Sequence, residues 1–163
     1  MIPGLFDKGR WGNRVEVIMS LEQESSAIQI TTRGEGAYEF TAQLRNWLSS
    51  IRADEGLLTL FIRHTSASLT IQENADPDVR HDLVEALSRL APQNAPYRHV
   101  MEGPDDMPAH IKSAITGVSL TIPVRRGAPV LGTWQGVYVL EHRQRPHQRQ
   151  VALHFLGTRT RGD

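Results

Sequence analysis

The chain contains no cysteine. That excludes a disulfide staple, a thiolate metal site and a cysteine nucleophile. It has no surplus of either charge: Lys plus Arg and Asp plus Glu both number 18. Binding to a phosphate backbone leans on excess Lys and Arg, so no nucleic-acid partner is expected, although a local anion site stays open. No run approaches the ~18 apolar residues of a membrane span. Residues 1–9 lack the long apolar core of a secretion signal. The expectation is a cytoplasmic protein with no membrane partner. G-x-S-x-G, P-loop, GxGxxG and H-E-x-x-H signatures are also absent, so none of the common named enzyme classes is supported.

What is present fits one domain: 163 residues, 39% apolar and 22% charged. Residues 1–13, rich in Gly and Pro, read as an irregular lead-in, and 14–163 as a single domain. Apolar alternation and short apolar runs predict strands over 14–21, 27–31, 57–63, 68–73, 118–124, 130–141 and 149–156. Ala37, Phe40, Leu44, Trp47, Leu48 and Ile51 recur at helical spacing and predict a first helix after the Gly34-Glu35-Gly36 break. Asp76 suits an N-cap and Pro77 a first helical position, opening a second helix that ends before Pro92. Its expected buried stripe is Val79, Leu83, Ala86, Leu87 and Leu90. A third helix starts at Asp106-Met107-Pro108 and is closed by Gly117, after a long loop over 93–105. Seven strands and three helices, mixed rather than alternating, predict an α+β fold with mostly antiparallel sheet.

Three segments concentrate polar chemistry. In the first, His64, Thr65, Ser66, Ser68 and Thr70 crowd the exit of a buried strand. Such a cluster offers an imidazole, hydroxyls and free N–H groups to an anion or polar ligand. Equally, it can be a hydroxyl-rich turn capping its own backbone. Glu73 and Asn74 follow, less readily explained as helix caps than Asp76 and Asp78. The second segment, 97–112, carries His99 in the loop and His110 in the first turn of the third helix. Neutral imidazole is a common zinc ligand, so His64, His99 and His110 would make a three-ligand site if the fold gathers them, although their spacing matches no metal signature. Lys112 lies two residues on, as a phosphate partner or a solvated helix face. In the third segment Gly132 and Gly136 flank Gln135 and suggest a bulge or close backbone approach. Trp134 reads as core, and Glu141 closes an apolar strand. Arg143, Arg145, His147 and Arg149 read as a solvated basic loop.

Together these segments resemble the YjbQ-like family, which carries the label secondary thiamine-phosphate synthase. The residues that carry the resemblance are His64 to Thr70 with Glu73-Asn74, Asp76-Pro77 through Arg80-His81-Asp82, Tyr97, His99, Glu102-Gly103, Asp105 to Pro108, His110-Ile111-Lys112, Gly132 to Gly136 and Glu141-His142-Arg143. Ala75 stands where close relatives carry Cys, and Gln72 where Asn is usual. The resemblance implies an α+β homotrimer with a polar pocket near subunit contacts. It implies that His64, His99 and His110 converge on a divalent metal, plausibly zinc, and that Glu73, Asn74, Gln135 and Glu141 line the pocket. Three functions follow as expectations. One is a thiamine-phosphate synthase-like transferase, using magnesium, with Lys112, Thr65 and Ser66 holding phosphate. Another is a zinc-dependent hydrolase or lyase of unknown substrate, with Glu73, Glu141 or His64 in catalysis; the partner expected for the pocket in general is a small phosphate-bearing molecule. The last is a non-catalytic metal- or ligand-binding module.

Overall fold

The computed structural model describes residues 20–160. The lead-in over 1–13 and most of the strand expected over 14–21 lie outside them. Among the described residues the chain forms eight strands and three helices in two antiparallel sheets. The first sheet has five strands: β1 (Glu22–Thr31), β8 (Gln148–Arg159), β3 (Ala53–Ile62), β5 (Ser119–Arg125) and β6 (Ala128–Pro129), in that spatial order. The second has β2 (Gly36–Glu39), β7 (Gln135–Glu141) and β4 (Ala67–Glu73). The helices are α1 (Thr41–Ser50), α2 (Pro77–Leu90) and α3 (Asp106–Thr116). None is long and apolar enough to cross a membrane.

The core follows from strand alternation. Leu58, Leu60 and Ile62 of β3, Ile122 and Val124 of β5, and Val151, Leu153 and Phe155 of β8 share one buried cluster. Ala67 and Leu69 of β4 and Val137 and Val139 of β7 belong to it from the second sheet. Phe40, Leu44 and Leu48 bring α1 into the same cluster. Because successive strand residues point to opposite faces, Leu57, Thr59 and Phe61 lie on the outer face of β3. There Leu57 pairs with Leu156 and Pro123, Thr59 with His154 and Thr121, and Phe61 with Ala152 and Ser119. No carboxylate stands in these three rows.

Four expectations are corrected. The first helix starts at Thr41, not Ala37, because Ala37, Tyr38 and Glu39 pair with Leu140, Val139 and Tyr138 of β7. The strand expected over 130–141 begins only at Gln135, since the chain must leave β6 in one sheet and enter β7 in the other. Residues 130–134 make that crossing, pinned where Gln135 Oε1 accepts the Gly132 N–H at 2.7 Å. Trp134 sits on this turn and is 64% exposed rather than core. On α2, Asp76 caps as expected, accepting from Asp78 N at 2.9 Å, but the helix lies on the surface: Leu87 is buried and Leu90 is exposed.

Candidate metal centre

Three elements meet at one end of the second sheet: the exit of β3 into β4, the end of β7, and the loop leading into α3. Asp106 and His110 are four residues apart on α3 and therefore share a face. His99 reaches them from the preceding loop. One ligand atom from each of His99, Asp106 and His110 lies within 4.8 Å of the others. Asp106 Oδ2 is 2.7 Å from His99 Nε2 and 3.3 Å from His110 Nε2. The two rings meet edge to face, their centroids 5.8 Å apart.

The partners of these groups fix their roles. His110 Nδ1 is 2.9 Å from the Thr65 carbonyl oxygen, so it carries the hydrogen and donates it. In its neutral form the ring turns a bare Nε2 lone pair toward the carboxylate of Asp106, and in its protonated form Nε2 donates to it. Two acceptors so close repel unless a proton or a cation lies between them. Arg143 engages the other carboxylate oxygen, Asp106 Oδ1, and leaves Oδ2 for the histidines. Asp106 is only 1% exposed, and a carboxylate that buried needs such a partner. Arg143 also donates to Asp105 Oδ2 at 3.0 Å and to the Glu102 carbonyl at 2.8 Å, which ties the loop to the end of β7. Burial works to raise the Asp105 carboxyl, but the Gln144 N–H and Arg143 outweigh it and hold it below the ordinary range. Two imidazole nitrogens and one carboxylate oxygen, with the carbonyl of Thr65 and the guanidinium of Arg143 behind them, form a donor set that fits zinc.

His64 lies outside this cluster. Its Nε2 accepts the Gln150 N–H of the neighbouring strand at 2.9 Å. Burial, then the charge of Arg149, holds its pKa below the ordinary value. Thr65 takes part through its backbone. Ser66 accepts from Arg149 Nη2 at 3.2 Å. Glu141 is the fully enclosed counter-ion of Arg149. It also accepts from Thr32 Oγ1 at 2.8 Å and from Arg143 N at 2.9 Å. Burial works to raise its pKa, but Arg149, the Arg143 N–H and Thr32 bring it below the ordinary carboxylate range. With its oxygens committed, Glu141 is a structural anchor and not a free base. Arg149, expected in a solvated loop, is 3% exposed on β8. Lys112 is likewise buried, donating to Glu35 and, at 2.9 Å, to Ser88 Oγ. It clamps α3 to α2 and cannot reach a phosphate without breaking that pair.

Glu73, Asn74 and Gln135 stand at the opposite end of the second sheet. Glu73 pairs with Gln135 across β4 and β7, and β4 separates them from Thr65 by roughly 20 Å at ~3.3 Å per residue. At Gly136 beside them the close neighbour is a side chain and not the expected backbone: a Cβ there would sit 2.7 Å from Glu39 Oε1. Gly132 serves the crossing turn instead. Asp106 is a ligand candidate that sequence reasoning misses, because an acid at a helix start is ordinarily explained by the helix dipole. The Asp106-x-x-x-His110 spacing is the signal that could have found it.

The comparisons agree with this architecture. Residues 26–158 match the family model described as UPF0047 protein YjbQ-like. The UPF0047 protein sll1880 of Synechocystis sp. is 48% identical over 139 residues, which are 85% of this chain and 95% of that protein. The UPF0047 protein YjbQ of Escherichia coli O157:H7 is 43% identical over 80% of this chain and 95% of its own length. Among solved structures, a YbjQ-like protein of unknown function from Sulfolobus solfataricus superposes with a TM-score of 0.78 at 19% identity, covering 85% of this chain and 99% of the other. The conserved hypothetical protein TT1486 from Thermus thermophilus gives 0.69 at 35% identity over 78% and 97%. The chain belongs to the YjbQ-like UPF0047 family.

Proposed function

We propose that the chain is a zinc-dependent hydrolase or lyase acting on a small phosphate-bearing substrate, with His99, Asp106 and His110 as the metal ligands. The observation that carries this reading is the approach of two imidazoles to a single carboxylate oxygen, His99 Nε2 at 2.7 Å and His110 Nε2 at 3.3 Å from Asp106 Oδ2. Bound there, zinc would act as a Lewis acid and polarise a phosphoryl or carbonyl oxygen. The chain's own groups supply the preorganisation. Thr65 sets the tautomer of His110, Arg143 sets the carboxylate of Asp106, and the loop brings His99 to both. The ligand set differs from the expected three histidines, with Asp106 in place of His64.

The transferase reading ranks second. Expelling diphosphate is ordinarily magnesium chemistry, and magnesium prefers an all-oxygen site, whereas two of these three donors are nitrogen. A transferase would need both substrates and release diphosphate. We also infer a homotrimer, whose contact is the outer face of the five-stranded sheet around Leu57, Thr59, His154 and Leu156. A sheet face with half-exposed Leu57 and Leu156 and no carboxylate in the Leu57 and Thr59 rows is the kind of surface that a second copy covers. Glu73, Asn74 and Gln135 could join the His–Asp cluster only from a neighbouring copy.

The test is metal content by elemental analysis after zinc is supplied. About one zinc per chain is expected in the wild type and in His64→Ala, with most of it lost in Asp106→Asn and in His99→Ala. A wild type that retains no zinc overturns the metal reading. Loss in His64→Ala with retention in Asp106→Asn would restore the three-histidine site.

A further inference from the structure

Thr65 belongs to two neighbourhoods. Its carbonyl orients His110, and the residue also lines a cavity of about 490 Å³ shared with Phe61, Arg63, His64, Ser66 and Val118. That volume falls within the ~300–1,000 Å³ usual for small-molecule sites. The cavity therefore borders the metal centre through one residue.

Its chemistry is one-sided. Phe61 and Val118 give it apolar wall, with half of Phe61 uncovered. The polar groups are donors. Because His64 Nε2 is occupied by the Gln150 N–H, the neutral ring carries its hydrogen on Nδ1. Burial and Arg149 keep that ring uncharged near neutral pH. Ser66 Oγ already accepts from Arg149, so its own hydrogen is free to be donated. Arg63 spends one N–H on Gln150 Oε1 at 3.0 Å and keeps the rest of its fork. Thr65 itself is exposed. No Asp or Glu lines the cavity. Surplus donors and no acid call for an anion with several oxygens, and the apolar wall calls for a body of ring size.

We infer that this cavity binds an organic phosphate monoester, its ring or branched body against Phe61 and Val118 and its phosphate held by His64, Ser66 and Arg63 beside the His99–Asp106–His110 cluster. This rests on the proposed metal-dependent function for its direction, since the phosphate end is placed toward Thr65, but the cavity's own donors stand without the metal.

The probe is phenyl phosphate, titrated calorimetrically into the full chain after zinc is supplied, with inorganic phosphate and phenol as controls. Phenyl phosphate should bind more tightly than either control. Phe61→Ala should weaken it about tenfold while leaving inorganic phosphate and zinc content unchanged. Val118→Phe, which fills the cavity instead of emptying it, should exclude phenyl phosphate and still admit inorganic phosphate. That second variant keeps the test decisive if Phe61→Ala does not fold. No saturable binding of phenyl phosphate to the wild type, or equal binding to both variants, overturns the inference. Zinc content measured on the same samples separates the two readings. Binding that depends on Phe61 in a protein without zinc supports the cavity and removes the metal; zinc without phenyl phosphate binding does the reverse.

Discussion

His142 cannot take a proton cheaply. The residue is 3% exposed, with Nε2 2.8 Å from Ser68 Oγ, itself fully buried. Burial first, then the charge of Lys112, pushes its pKa down to about 4 from the ordinary 6.5. Between these values the unfolded chain binds more protons than the folded one, so stability rises with pH across that window. The contribution is complete above 6.5 and drains away as the pH falls toward 4. It amounts to about 3 kcal/mol at ~1.4 kcal/mol per unit. Urea unfolding of the wild type should show this loss between pH 6.5 and 4, and His142→Gln should show a flatter dependence there. Equal slopes would mean that the ring is already charged in the folded chain. In the sequence this histidine reads only as the polar end of a strand. Its burial is set by Ser68 and α3, both distant along the chain. His99 and His110 were legible because an unpatterned loop followed by a short helix gave two imidazoles no structural task.

The strands of the larger sheet were legible because each alternates apolar and polar residues, as Leu58, Leu60 and Ile62 do against Leu57, Thr59 and Phe61. β2 was not legible: Ala37, Tyr38 and Glu39 carry no alternation, and pairing with β7 makes them a strand. A more local constraint holds β3 to β8. Gly56 and Gly157 face each other in register beside a shift in the pairing. A Cβ on Gly157 would overlap the Glu55 carbonyl oxygen and lie 2.7 Å from Gly56 Cα. Both obstacles are backbone, which cannot swing away as a flexible side chain would. Gly157→Ala should therefore cost about 3 kcal/mol, read as a lower midpoint in urea. An unchanged midpoint would mean that the two strands separate there without penalty. The turn between β5 and β6 shows the same economy: Arg126 and Gly127 have φ of 50° and 74°, the two positive values of a tight type I′ hairpin turn.

Over the whole molecule, the outer face of the larger sheet stands apart from the even spread of charge elsewhere. Thr59 lies at its centre, between His154 and Thr121. In the proposed homotrimer, Thr59→Glu places a carboxylate in each of three copies amid rows that hold none. Sedimentation equilibrium should give three times the chain mass for the wild type and the chain mass for Thr59→Glu. A Thr59→Glu protein that still sediments as three copies would move the contact to another face. No periodicity or charge code in the sequence marks such a face. It becomes visible only when register sets uncharged residues from β1, β8, β3 and β5 side by side.

The end of β7 has a consequence of its own. Three consecutive residues there hold three different parts of the molecule: Glu141 holds Arg149 of β8, His142 meets Ser68 of β4, and Arg143 grips the loop and helix that carry His99, Asp106 and His110. A slip of one position would break all three attachments together. A residue gained or lost in the crossing at 130–134 is therefore absorbed in that crossing, and the three anchors keep their station whatever happens to the length of the linker before them.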